Sequence, residues 1–201
     1  MTEARTTTST SLRETSLPHD TALAWVRGAL AVQILSSIAF AAISMLVPTS
    51  TTDGGRFRHA GDYWFTAIGL PIIIAEVVLL VALWRVQEGR AGRLGRAGLI
   101  IAGAALVELF VQIGASLALA TEERCGPSYV VASFLTFVGH GLFVAGSWRV
   151  GLLPRWLLGI WPVVWIGGSF FAVAPAAPLL LAAFYAVMAV TLERRSGQPR
   201  R

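Results

Sequence analysis

The stretch LPIIIAEVVLLVALW (residues 70–84) is apolar almost end to end, and its single ionisable residue, Glu76, lies inside it. A helix needs about 20 mostly apolar residues, each rising ~1.5 Å, to cross a hydrocarbon layer ~30 Å thick. Extended to residues 63–86, the run is long enough to cross. It therefore reads as a membrane helix carrying a carboxylic acid where hydration is scarcest.

Five further runs read the same way, at 23–47, 97–120, 129–148, 156–173 and 178–192. The expected fold is all-α, a polytopic transmembrane bundle of six spans. Only APAAP (174–178) separates the last two runs, and the sixth is short unless it extends to Arg194, so a re-entrant hairpin is the competing arrangement there. Composition agrees with a membrane setting. The chain is 55% hydrophobic and 13% charged, against roughly 25% charged in a soluble domain.

The net charge of +5 would point to nucleic acid in a soluble protein, but its placement here follows membrane topology. Every basic residue is arginine. With both termini cytoplasmic, thirteen fall inside (Arg5, Arg13, Arg27; Arg85, Arg90, Arg93, Arg96; Arg149, Arg155; Arg194, Arg195, Arg200, Arg201) and only Arg56, Arg58 and Arg124 outside. This is the positive-inside bias, and it requires an even number of spans. The expected localisation is a cell membrane, with no nucleic-acid partner.

Residues 1–21 are Thr/Ser-rich and are expected to form a disordered cytoplasmic tail, followed by the membrane domain at 22–194 and a basic tail at 195–201. The first apolar run is too long for a cleaved signal core. Cys125 is the only cysteine, which excludes an intrachain disulfide. The turn EGRAGRLGRAG (88–98) reads as a cytoplasmic loop, and Asp62 as the N-cap of the second span. Trp25, Trp64, Trp84, Trp148 and Trp156 fall near span ends, as in an aromatic belt. Trp161 and Trp165 do not. They lie inside the fifth span, one turn apart on one face and flanking Pro162, and read either as lipid-facing packing or as a pocket wall.

Glu76 has company at its depth. The centres of four spans fall within a few residues of Gln33, Glu76, Glu108 and His140. Each belongs to a stripe at helical spacing: Gln33, Ser37 and Ser44; Glu108, Gln112 and Ser116; Ser133, Thr136, His140 and Ser147. Such stripes are expected to turn inward and meet. An acid at a helix centre costs on the order of 2.5–3.5 kcal/mol to insert, and no intramembrane arginine is there to hold it ionised. Desolvation then favours the uncharged acid, which can serve as a general acid. The alternative for each residue is a simple interhelical hydrogen bond that fixes packing.

Three functions follow from these residues. The first is a membrane enzyme of the isomerase or cyclase type, acting on a lipophilic small molecule. Glu76, Glu108 and His140 would be its catalytic residues, with Gln33, Gln112, Thr136, Phe143, Trp161 and Trp165 lining the substrate. The second is a proton-coupled small-molecule transporter acting as an oligomer, and the third a noncatalytic membrane subunit. No metal-ligand spacing, P-loop or dinucleotide fingerprint is present, so no cofactor is expected. Membrane lipid is the other expected partner, and oligomeric state carries no signature.

Overall fold

The computed structural model describes residues 19–48, 55–121, 126–170, 174 and 176–196. Seven helices account for most of them: α1 (His19–Leu46), α2 (Ala60–Ala67), α3 (Gly69–Val86), α4 (Gly92–Leu119), α5 (Gly126–Ser147), α6 (Arg155–Phe170) and α7 (Ala176–Ser196). No strand occurs among the described residues, only an isolated bridge between Arg56 and Thr121. Most of the expected tails, and Cys125, lie outside the described residues. The first turn of α1 takes in residues 19–21 and places Asp20 where the helix dipole favours an anion.

Helices α2 and α3 run on as one element with a break at Ile68. Pro71 in the first turn of α3 has no amide hydrogen to continue the ladder, yet Ile68 stays right-handed and donates to the Trp64 carbonyl. Together they form a 27-residue apolar segment, Ala60–Val86. Among the described residues five such segments are long and apolar enough to cross a membrane: this one, Asp20–Leu46, Gly92–Leu119, Gly126–Ser147 and Ala176–Arg195. The last does extend past Arg194. Helix α6 has 16 residues and falls short of that length.

Each long helix packs on two others, in the cyclic order α1, α3, α4, α5, α6, α7 and back to α1. The ring is up-and-down. At one end Arg27 of α1 approaches Glu193 of α7 at 3.9 Å, Ser147 of α5 donates to Gln87 after α3 at 3.0 Å, and Arg195 donates to the Gly151 carbonyl. The ends of the described chain lie here, so this is the termini face. At the other end, the loop face, the Phe57 amide donates to the Ala120 carbonyl at 2.8 Å.

Two expectations change at the helix ends. Asp62 is not an N-cap: His59 takes that position, and the Asp62 carboxylate reaches back from inside α2 to accept the amides of His59 (2.9 Å) and Arg58 (2.7 Å). The segment 88–98 is not all turn, since α4 begins at Gly92. Gly89 and Gly92 take positive φ in the turn, whereas Gly95 and Gly98 are helical and α5 lies against them. A Cβ on Gly98 would stand 2.6 Å from the Gly139 carbonyl oxygen and collide with the Phe143 amide nitrogen, so only small residues allow this approach.

An apolar core encloses a polar cluster, and the outer surface is apolar as well. Leu35, Leu46, Ile100, Val111, Phe134 and Leu180 are exposed, while Gln33, Ser37, Glu76, Thr136 and His140 are fully buried. Trp25, Trp64, Trp148 and Trp156 are exposed near helix ends, and Trp161 and Trp165 are buried. Such a surface, on helices long and apolar enough to span a membrane, is consistent with a lipid surrounding.

Candidate functional site

Glu76 sits in the middle of α3, and both its carboxylate oxygens point into the ring. Oε1 lies 2.6 Å from His140 Nε2 of α5 and 3.1 Å from Trp161 Nε1 of α6. Oε2 accepts the Tyr185 hydroxyl of α7 at 2.6 Å and the Gln33 amide of α1 at 2.7 Å. Four helices thus each send one group to a fifth. A carboxylate offers about four lone-pair positions, and here each faces a protein group.

Two of the four partners, His140 and Gln33, are oriented by a second bond. Thr136, whose own hydroxyl donates to the Ala132 carbonyl at 2.8 Å, offers its carbonyl to His140 Nδ1 at 2.8 Å. A carbonyl only accepts, so Nδ1 carries a hydrogen and Nε2 is left to face Glu76. Gln33 Nε2 also donates to the Ile72 carbonyl at 3.0 Å, which sets the amide nitrogen toward α3. Trp165 stacks on the His140 ring, 5.5 Å between centroids and 18° between planes, while Trp161 meets it edge-on at 5.3 Å. Phe143 closes the wall with its ring 6.1 Å from Trp161.

This arrangement dictates a proton count. With one proton between Nε2 and Oε1, the pair is either imidazolium and carboxylate or imidazole and carboxylic acid. Both fit the same heavy-atom positions, and neither buries net charge. Remove that proton and two lone pairs face each other at 2.6 Å. Add another, and the pair carries a net positive charge, while the Tyr185 hydroxyl must turn to accept from Oε2. Either change alters contacts that different helices make.

Among the residues expected from sequence, Gln33, Glu76, Thr136, Phe143, His140, Trp161 and Trp165 come together. Glu108 and Gln112 do not join them. Gln112 donates to Glu108 Oε1 at 2.9 Å, within α4, and Glu108 lines an apolar groove of about 660 Å³ between α4 and α5 with Ala104, Pro127 and Leu135. Helix α4 is rotated so that Gly95, Gly98, Ala102 and Ala105 meet α5, which leaves Glu108 exposed at the border of that contact. The expectation of two carboxyls sharing one interior site is therefore corrected. Tyr185 was not anticipated, although it lies at the centre of the run 178–192 and the depth argument applied to Glu76 would have found it.

Compared with known protein families, with curated proteins and with solved structures, the chain matches none.

Proposed function

We propose that this multi-pass membrane protein is a proton-coupled carrier for a lipophilic small molecule. In this reading six helices cross a cell membrane with both termini cytoplasmic, and the Glu76–His140 pair gains or loses its proton as the ring changes shape. One observation carries it: a buried carboxylate paired at 2.6 Å with a histidine also accepts a hydrogen bond from three further helices. Protonation and helix arrangement are then one equilibrium, as coupled transport requires. A general acid would need an oxygen edge facing substrate, and both edges of Glu76 already face protein groups. The isomerase or cyclase reading keeps the support of the aromatic walls, Trp161, Trp165 and Phe143, but needs substrate to displace one of the four partners.

The test uses proteoliposomes loaded with a pH-reporting dye and given lipophilic amines, quinones and isoprenoid alcohols in turn. At least one class is expected to drive proton movement, lost in Glu76→Gln and His140→Gln at equal folded yield. If no class moves protons, and both variants lose folded yield as a buried Leu80→Ala variant does, the cluster is a packing element. If a compound comes back chemically rearranged without proton movement, the enzyme reading replaces this one.

A further inference from the structure

Buried polar groups are unevenly distributed along the bundle. From Glu76 toward the termini face the interior is closed by Leu30, Leu79, Leu80, Leu83, Leu157 and Met188, all nearly inaccessible, and beyond them the buried Ser147 and Gln87 satisfy each other. Toward the loop face the interior contains, beside the buried Ile72, Trp165 and Leu181, the hydroxyls of Ser37, Thr66, Ser116 and Ser133.

Three buried atoms on or beside this second route have no hydrogen-bond partner: Gln33 Oε1, Ser37 Oγ and Ser133 Oγ. Gln33 and Ser37 are one turn apart on a single face of α1, and Ser133 is one turn from Thr136 toward the same end of α5. Flipping the Gln33 amide cannot help, because its nitrogen already serves two acceptors, Ile72 O and Glu76 Oε2. An orphaned buried polar atom costs about 1–3 kcal/mol, and water with two to four polar partners is the usual remedy.

We infer that water reaches the Glu76–His140 pair from the loop face alone, along Gln33, Ser37 and Ser133, and that the leucine layer seals the termini face. The inference rests on the reading of the pair as the proton-holding centre. It adds the side from which the pair exchanges: a hydronium ion arriving along the seam leaves its proton on the pair and departs as water, and release is the reverse.

The experiment places single cysteines in a Cys125→Ser background and labels them in proteoliposomes with a small, charged, membrane-impermeant methanethiosulfonate, which reacts with wet thiols. Ser37→Cys and Ser133→Cys are nearly isosteric; Leu80→Cys and Leu157→Cys report the seal. Labelling from the loop face is expected to be at least tenfold faster at 37 and 133 than at 80 and 157. Equal rates at all four positions, or faster labelling from the termini face, overturn the inference. Labelling at 37 and 133 without any proton movement sinks the carrier reading and leaves the wet seam standing. Proton movement with 37 and 133 unlabelled does the opposite.

Discussion

Glu76 and His140 lie at 2.6 Å, so each fixes the protonation that the other can tolerate. A double-mutant cycle reads this directly. Unfolding of the single and double variants of Glu76→Gln and His140→Gln should give a coupling of about 1–3 kcal/mol, the range for residues in one network. Coupling below about 0.5 kcal/mol would mean the two act independently. Tyr185→Phe removes one donor and leaves three, so it should cost about 0.6 kcal/mol, the mean for interhelical bonds in a membrane, and at most about 1.7. Glu76→Gln should cost more, because an amide nitrogen cannot accept the Tyr185 or Gln33 hydrogen that Oε2 now accepts. Much of this cluster was legible as depth: Gln33, Glu76 and His140 are polar at span centres. Tyr185 was missed because its ring counts as apolar, and Glu108 was misassigned because depth says nothing about a helix's rotation.

At the scale of the element, rotation is set by close packing, and α4 on α5 is the clearest case. Gly98 faces α5 backbone with no room for a Cβ, whereas Gly103 has nothing within 4 Å. Gly98→Ala should therefore destabilise by about 1–3 kcal/mol or more, the range for overpacking, because the obstruction is main chain and cannot change rotamer. Gly103→Ala should be neutral or stabilise by about 0.5–1 kcal/mol, the helix preference for alanine. Unfolding of both in the same detergent checks the pair, and similar effects would mean that α4 and α5 do not pack this way. The same glycines explain why 88–98 reads as a turn. In water each glycine weakens a helix by about 1 kcal/mol, while in a bundle it allows two backbones to touch. The sequence carries the residue but not the neighbour that gives it value.

At the scale of the molecule, the ring order and the arginine placement bear on one question, how α6 and α7 sit in the bilayer. Helix α6 is ~24 Å long at ~1.5 Å per residue, short of a ~30 Å core, which adds to the short APAAP link and the short run 178–192 that leave a re-entrant hairpin open in the sequence. Yet Trp161 of α6 and Tyr185 of α7 reach the same carboxylate, so both helices attain the depth of Glu76. Among the described residues nine arginines lie toward the termini face (Arg27, Arg85, Arg90, Arg93, Arg96, Arg149, Arg155, Arg194 and Arg195) against Arg56 and Arg58 toward the loop face, the bias expected if six helices cross with the termini face in the cytoplasm. A reporter that matures only in the cytoplasm, fused after residue 201, should be active; inactivity would invert the orientation. That fusion cannot separate two crossings from a hairpin, because both return the chain to one side. Ala174, exposed between α6 and α7, can. An Ala174→Cys variant in the Cys125→Ser background should react with an impermeant thiol reagent added on the side opposite the termini, at a rate typical of an exposed loop. Labelling only from the side of the termini would establish the hairpin and remove α6 and α7 from the count of full crossings.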